Sequence, residues 1–305
     1  MEIAFIANPA AGRGHTQRFV SRFETEAREL DQHIDVLWTE RAGHARELAR
    51  EARSRCDVVC VAGGDGTVHE VVNGLMPEPV PIVVVPSGSG NDFASLFNCP
   101  TTPGELVEVL RAGEGVHTDV IDCGIRYCAN SVGIGFEALV TRQSLGIRNM
   151  RGLPLYLTAA ARALVRYDCP PMTIQLDDET LTGERLMVSV GNGVRAGGGF
   201  YLTPDALADD GRIDLCIVRP MGRLRILTLL PRSIPGKHTG ASAVDMRRSR
   251  EVTLSAERPF HMHIDGEYVG MHTGPVEFRV IDRVLPVLSR PGMPLRYTDA
   301  PSRIL

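Results

Sequence analysis

The chain is nearly without lysine: of its 33 lysine and arginine residues only Lys237 is a lysine, which leaves 32 arginines. It also lacks a strong charge of either sign. A net charge of −4 and a pI near 6.2 argue against a general nucleic-acid binder while leaving room for local basic patches. No apolar run approaches the roughly eighteen residues of a membrane-spanning helix, and Met1 leads into a strand-like segment rather than a signal peptide, so a cytoplasmic location is expected. The seven cysteines (Cys56, Cys60, Cys99, Cys123, Cys128, Cys169, Cys216) form no CxxC pair. Several lie inside apolar runs, which predicts reduced core thiols. What remains is ordinary: 305 residues, 43% hydrophobic and 23% charged, suit a soluble globular protein of two domains.

The most informative stretch runs from Asp57 to Leu75, DVVCVAGGDGTVHEVVNGL. Val58 to Val61 form an unbroken apolar run, as a strand buried on both faces requires. Gly63-Gly64-Asp65-Gly66 breaks it. Val68, Val71, Val72 and Leu75 then recur at helical spacing, with Thr67 read as the N-cap and Asn73-Gly74 as the end. A strand, a glycine loop and a helix start form a natural anion site, because backbone N–H groups approach a phosphate closely there. Asp65 adds a carboxylate to that site, which points to a cation between two anions or to a group that orients an acceptor hydroxyl. The same residues also serve a plain tight turn.

Three similar units surround this one. Glu2 to Ala7 reads as a strand, followed by Asn8-Pro9-Ala10-Ala11-Gly12-Arg13-Gly14 and a helix to about Leu30. Ile34 to Trp38 is followed by Thr39-Glu40-Arg41-Ala42-Gly43-His44 and a helix to about Arg55. Pro81 to Val85 is followed by Pro86-Ser87-Gly88-Ser89-Gly90-Asn91-Asp92 and a short helix from Phe93. Alternating strands and helices predict a doubly wound parallel sheet, whose loops at the carboxyl ends of the strands gather along one edge. There is no GxxxxGK[ST] loop, and Phe93 stands where a dinucleotide fingerprint has its third glycine.

After about Asp122 the texture changes. Met172–Leu176, Leu186–Val190, Ile213–Val218, Val252–Leu254 and Val276–Val280 are short, β-rich and separated by Gly, Pro and Asp, which predicts an antiparallel β-sandwich. One helical segment, Leu145 to Tyr167, carries Arg148, Arg151, Arg162 and Arg166. It reads either as a helix covering a sheet or as a membrane-surface contact. Arg223 to Leu230 combines basic and strongly apolar residues and reads either as a core element or as an interfacial one. His261-x-His263-x-Asp265 has the alternation of a metal site on one strand face. Polar alternation along a strand is preferred, because metal sites usually recruit more than one element.

Asn8-Pro9 with Gly12, Gly63-Gly64-Asp65-Gly66-Thr67, and Pro86-x-Gly88-x-Gly90-Asn91-Asp92 resemble successive motifs of the diacylglycerol kinase catalytic-domain family, which includes bacterial soluble lipid kinases and the sphingosine and ceramide kinases. The Gly-Gly-Asp-Gly loop alone is shared with NAD kinases and, more loosely, with phosphofructokinases. The resemblance continues through Asn130 to Phe136, Gly191-Asn192, Gly197 to Gly199, Asp209-Asp210-Gly211, Gly236-Lys237-His238 and Asp265-Gly266-Glu267, nearly the whole chain. It implies an N-terminal α/β domain over residues 1–122, rejoined by 288–305, and a β-sandwich lipid-substrate domain over 123–287.

It also implies an ATP- and Mg2+-dependent lipid kinase acting on diacylglycerol, docking transiently on a membrane surface. An NAD kinase, or a non-catalytic nucleotide- or lipid-binding module, is the alternative. A homodimer is left open. Nucleotide contacts are implied at Asn8, Pro9, Ala10, Ala11, Gly12, Thr39, Gly63, Gly64, Asp65, Gly66, Thr67, Val68, His69 and Ser89. Asp65 and Asp92 are candidates to place Mg2+ or the acceptor hydroxyl, and Glu267 holds the position of the proton acceptor. A second Mg2+ is implied at Asp210 with the carbonyls of Leu207 and Arg212. Ser89 stands where threonine is common in bacterial relatives. It keeps the hydroxyl and leaves the acceptor lipid open.

Overall fold

Four apolar runs, each followed by a helix, dictate the first part of the chain. The computed structural model describes residues 1–29, 32–147, 149–150, 152–165, 167–290 and 302–305. It divides into two units, Met1–Asp119 with Asp282–Leu305, and Val120–Ile281. The first unit opens with β1 (Glu2–Ala7), α1 (His15–Glu26), β2 (His33–Trp38), α2 (His44–Ala52), β3 (Val58–Gly63), α3 (Asp65–Leu75), β4 (Ile82–Pro86) and α4 (Pro103–Ala112). The strands pair in parallel in the order β2-β1-β3-β4. A parallel sheet covered on both faces needs strands apolar throughout, and every residue of β3 is buried. Ile3, Phe5, Val58, Cys60, Val83 and Val85 pack against Phe19 and Phe23 of α1 and Leu106 and Leu110 of α4. The intervening residues point to the other face, where α2 and α3 pack on each other.

The helix boundaries read from sequence need correction around α3. Its N-cap is Gly64 rather than Thr67, and it continues through Asn73-Gly74 to Leu75. Gly74 marks a crossing, not an end: a Cβ there would sit 2.4 Å from the carbonyl oxygen of Arg46 on α2. The helix expected to end near Arg55 ends at Ala52, and the turn after Phe93 is a single 3-10 turn, Ala94–Leu96. The expected end of the first helix, Leu30, lies outside the described residues.

The second unit begins within β5 (Glu114–Asp122). It continues through β6 (Tyr127–Cys128), β7 (Ser131–Gly135), α5 (Phe136–Ser144), α6 (Gly152–Leu164), β8 (Pro171–Gln175), β9 (Thr180–Glu184), β10 (Met187–Gly191) and β11 (Ile213–Val218). Then come α7 (Arg223–Ser233), β12 (Val244–Ser249), β13 (Glu251–Ala256), β14 (Phe260–Ile264), β15 (Glu267–His272) and β16 (Val276–Leu288), with β17 (Ser302–Arg303) closing the chain. One sheet runs β12-β11-β10-β7-β14-β15. The opposing strands run β16-β13-β8-β9, with antiparallel pairs throughout. Val132, Ile134, Val188 and Ile264 from one layer and Met172, Ile174, Val252, Leu254 and Phe278 from the other share a core. This is the β-sandwich that the short, alternating strands demand.

The helix expected between Leu145 and Tyr167 is α6, and a further helix that the sequence reading did not name, α5, precedes it immediately after β7. Arg148, Arg151 and Arg166 lie outside the described residues. The run from Arg223 is a helix. β16 far exceeds the expected Val276–Val280: its last residues re-enter the first unit, where Val287 pairs in parallel with Ile82 of β4. There Ser302 and Arg303 pair with Gly115 and Glu114 of β5. Residues 291–301 lie outside the described part. All seven cysteines are free, and burial pushes the thiols of Cys60, Cys123, Cys128 and Cys216 up, which keeps them protonated.

Candidate active site

The carboxyl ends of β1, β3 and β4 bring three loops together in the first unit. Asn8 joins two of them: its Nδ2 donates to Thr67 Oγ1 (3.1 Å), its Oδ1 accepts from Ala10 N–H (3.0 Å), and its own N–H donates to the Ala62 carbonyl (2.9 Å). Ser87 N–H donates to the Gly63 carbonyl at 2.8 Å, tying the second loop to the third. Gly64 and Gly88 then meet backbone to backbone. A Cβ on Gly88 would lie 2.5 Å from Gly64 Cα, so no side chain fits at that contact. Asn91 closes the third loop on itself, accepting from Gly88 N–H (2.9 Å) and donating to its carbonyl (3.1 Å).

Pro9, Ala10, Ala11 and Gly12 are exposed or half-buried, as are Gly64, Asp65, Gly66 and Ser89. This is accessible backbone at a helix N-terminus, which fits a nucleotide phosphate chain. Thr39 is buried, its N–H bonded to the Ala7 carbonyl (2.9 Å). Thr67, Val68 and His69 are buried within α3, so their side chains support the loop rather than line it.

Asp65 sits in the first turn of α3, where the helix dipole favours a negative charge. Its Oδ1 accepts from Phe93 N–H (3.2 Å), and the N–H groups of Asn91 and Asp92 also favour the ionised form. Burial opposes them, joined by the negative charge of the buried Asp92, and wins: the carboxyl is pushed up to about 6. Two repelling carboxylates beside a phosphate site are the donor set expected for Mg2+, which takes one or two carboxylates and completes its shell with phosphate and water. No three His, Cys, Asp or Glu side chains are grouped to hold a metal among the described residues.

In the second unit the motif residues gather at the ends of β7, β10 and β14. Asp265 and Gly266, with φ of 49° and 81°, form the two-residue turn between Ile264 and Glu267. Asp265 is buried and held by the backbone: Oδ1 accepts from Asn130 N–H (2.8 Å) and Ser131 N–H (3.0 Å), Oδ2 from Ala129 N–H (3.0 Å). Asn192 braces the same loop, donating to the Ala129 carbonyl at 2.8 Å. Glu267, two residues beyond Asp265, is exposed. One Asp-Gly-Glu motif thus separates a clamp from a presented carboxylate.

The His261, His263 and Asp265 side chains go three separate ways, as polar alternation implies. His261 bonds the Tyr268 hydroxyl (2.7 Å) and Asp265 bonds backbone. His263 Nδ1 accepts from Gly266 N–H (3.3 Å), so Nε2 carries the proton and donates to Glu137 Oε1 (3.3 Å).

Asp210 is also already engaged. Its Oδ1 accepts from Arg212 N–H (3.1 Å) and its Oδ2 is ion-paired to Arg248, which reaches Asp214 as well (3.4 Å). The charge that a second Mg2+ would neutralise is neutralised here by a guanidinium, so the residues around Leu207, Asp210 and Arg212 do not fit that cation as arranged. Burial, only partly offset by Arg248, pushes Asp214 up to about 6.

Sequence reading missed Arg248, Glu137 and Glu70. Glu70, on α3, accepts from Gly43 N–H (2.7 Å) and Ala45 N–H (3.0 Å) and so caps α2 from outside. Each acts on a partner at least 25 residues away in sequence, and no local pattern marks them.

The comparisons agree with this geometry. Residues 2–123 match the diacylglycerol kinase catalytic domain, and residues 130–289 match the YegS C-terminal NAD kinase beta sandwich-like domain. The diacylglycerol kinase of Bacillus subtilis (strain 168) is 29% identical over 284 residues, covering 88% of this chain and 90% of its own. The protein of Xanthomonas euvesicatoria pv. vesicatoria (strain 85-10) named "Probable lipid kinase YegS-like" is 32% identical over 247 residues, covering 77% and 80%. A solved structure of a diacylglycerol kinase from Bacillus anthracis str. Sterne has the same fold, with a TM-score of 0.73 at 21% identity over 95% of this chain and 97% of that one. With both halves matched in order, and with the glycine loops and the Asp-Gly-Glu hairpin formed, the chain belongs to the diacylglycerol kinase catalytic-domain family and is a lipid kinase.

Proposed function

We propose that this lipid kinase transfers the γ-phosphoryl group of ATP to the free hydroxyl of diacylglycerol. The observation that carries the reading is the mutually repelling pair of half-buried Asp65 and buried Asp92 between two glycine loops. Phosphoryl transfer asks for positioning and charge neutralisation rather than covalent chemistry by the protein. Backbone N–H groups around Gly12, Gly64 to Gly66 and Ser89 hold the phosphates. Asp65 and Asp92 would hold Mg2+, which would supply positive charge against the negative charge building on the transferred group. The acceptor oxygen forms a bond to the γ-phosphorus as the bond to the β,γ-bridging oxygen breaks. ADP leaves, and the hydroxyl proton passes to Glu267 and then to water.

The test is transfer from labelled ATP to diacylglycerol, monoacylglycerol, phosphatidylglycerol, ceramide and NAD, each in mixed micelles, with Asp65→Asn as control. Phosphatidic acid formation with NAD untouched is expected. Phosphorylation of NAD without a lipid product would overturn the reading.

A further inference from the structure

α7 is apolar on two sides. Ile226 and Ser233 are buried, and Leu229 and Leu230 pack with Ile226 in a core shared with Phe136, Leu164 and Val218. Positions 224, 227, 228 and 231 follow one another at i, i+3, i+4 and i+7 and form the opposite face. There Leu224 is 81% exposed and Leu227 48% exposed, with Thr228 and Pro231 also exposed between them. At 100° per residue Arg223 borders this stripe on one side, and Arg225 and Arg232 border it on the other. No acidic residue occurs in the helix, although the whole chain carries a net charge of −4. Arg223 Nη2 donates to the Val165 carbonyl (3.2 Å), which places Val165, 66% exposed, beside the start of the stripe.

We propose that the outer face of α7, with Val165 at its edge, docks on an anionic lipid bilayer. The choice of occupant rests on the lipid-kinase reading, since diacylglycerol stays in the membrane, and on charge complementarity. Among the described residues no helix is long and apolar enough to cross a bilayer. The enzyme therefore meets its acceptor at an interface, and a stripe of exposed leucines flanked by arginines is the form an interfacial helix takes. The leucines enter the acyl boundary while the arginines reach headgroup phosphates. The apolar term acts through side chains that the fold leaves free, since Leu224 and Leu227 are not part of the core. Arg225 also donates to the Ser242 hydroxyl (3.1 Å) at the surface.

The experiment is co-sedimentation of the full chain with vesicles of phosphatidylcholine alone and of phosphatidylcholine with phosphatidylglycerol, without diacylglycerol, at low and high salt. Wild type is compared with Leu224→Ser/Leu227→Ser and with Arg225→Glu/Arg232→Glu. Each pair is expected to weaken partitioning onto anionic vesicles by tenfold or more, with thermal unfolding unchanged. Turnover of vesicle-borne diacylglycerol falls in step, and turnover of a short-chain, water-soluble analogue is kept. Because partitioning is read without an acceptor, it answers separately from the identity of the acceptor. Equal vesicle binding by the leucine pair overturns the proposal. So does a shift from dimer to monomer in sedimentation velocity with vesicle binding intact, which would assign the face to a second copy of the chain.

Discussion

Replacing Asp65 with Asn is expected to stabilise the nucleotide-free protein while abolishing turnover. Burial and the charge of Asp92 raise the carboxyl from 3.8 to about 6. The folded state therefore holds its proton more tightly than the unfolded state does. Between about pH 4 and 6 the folded state binds more protons, so this group's contribution to stability rises as pH falls through that window and is least favourable above it. At about 1.4 kcal/mol per tenfold change in proton affinity, ionised Asp65 costs the fold up to about 3 kcal/mol at pH 8 and about 1.5 kcal/mol at pH 5. Asn keeps an acceptor for Phe93 N–H and removes the charge, so part of that difference is recovered and the recovery is larger at pH 8. Trp38, the single tryptophan, lies on β2 of the same unit. Urea unfolding followed by its fluorescence at pH 5 and pH 8 reads this unit directly. A variant less stable than wild type at both pH values, or one whose advantage grows toward acid, would refute the reasoning.

Other perturbations separate scaffold from chemistry. Gly88→Ala pushes a methyl group against Gly64 Cα, and nucleotide affinity measured by calorimetry is expected to fall at least tenfold with the second unit's melting unchanged. Asp265→Ala leaves the N–H groups of Ala129, Asn130 and Ser131 without their acceptor, a loss of at least about 3 kcal/mol at about 1 kcal/mol or more each. Glu267→Gln, two residues away, should melt as wild type and lose turnover; equal stability loss in both variants would merge the two roles. Because Arg248 neutralises Asp210, chelation with EDTA is expected to leave thermal unfolding unchanged. Arg248→Ala should lower stability more at pH 8, where Asp214 is ionised, than at pH 5. A melting temperature that drops with EDTA would show that a cation holds the Asp210 loop instead.

Sequence alone determined what depends on local rules. A strand covered on both faces must be apolar throughout, so Val58 to Val61 announced the parallel sheet, and short alternating strands announced the sandwich. Asp265-Gly266 is a dipeptide suited to a two-residue hairpin turn, because both turn residues need positive φ. The glycine loops were legible because phosphate sites and close backbone approach leave no room for a Cβ, as the Gly64–Gly88 contact shows.

Roles set by distant partners were not legible. Asp265 and Glu267 are both acids at a hairpin, and only the fold buries one on three backbone N–H groups and exposes the other. Asp210 reads as a cation ligand until β12 delivers Arg248 to it. Gly74 reads as a helix end until α2 crosses there. The run from Arg223 to Leu230 combines arginines with leucines on any reading, and only its packing decides which leucines face the core and which face outward. Local patterns specify what a segment can become. Which side chain is used up in holding the fold, and which is left to act, is settled by neighbours that sequence spacing does not reveal.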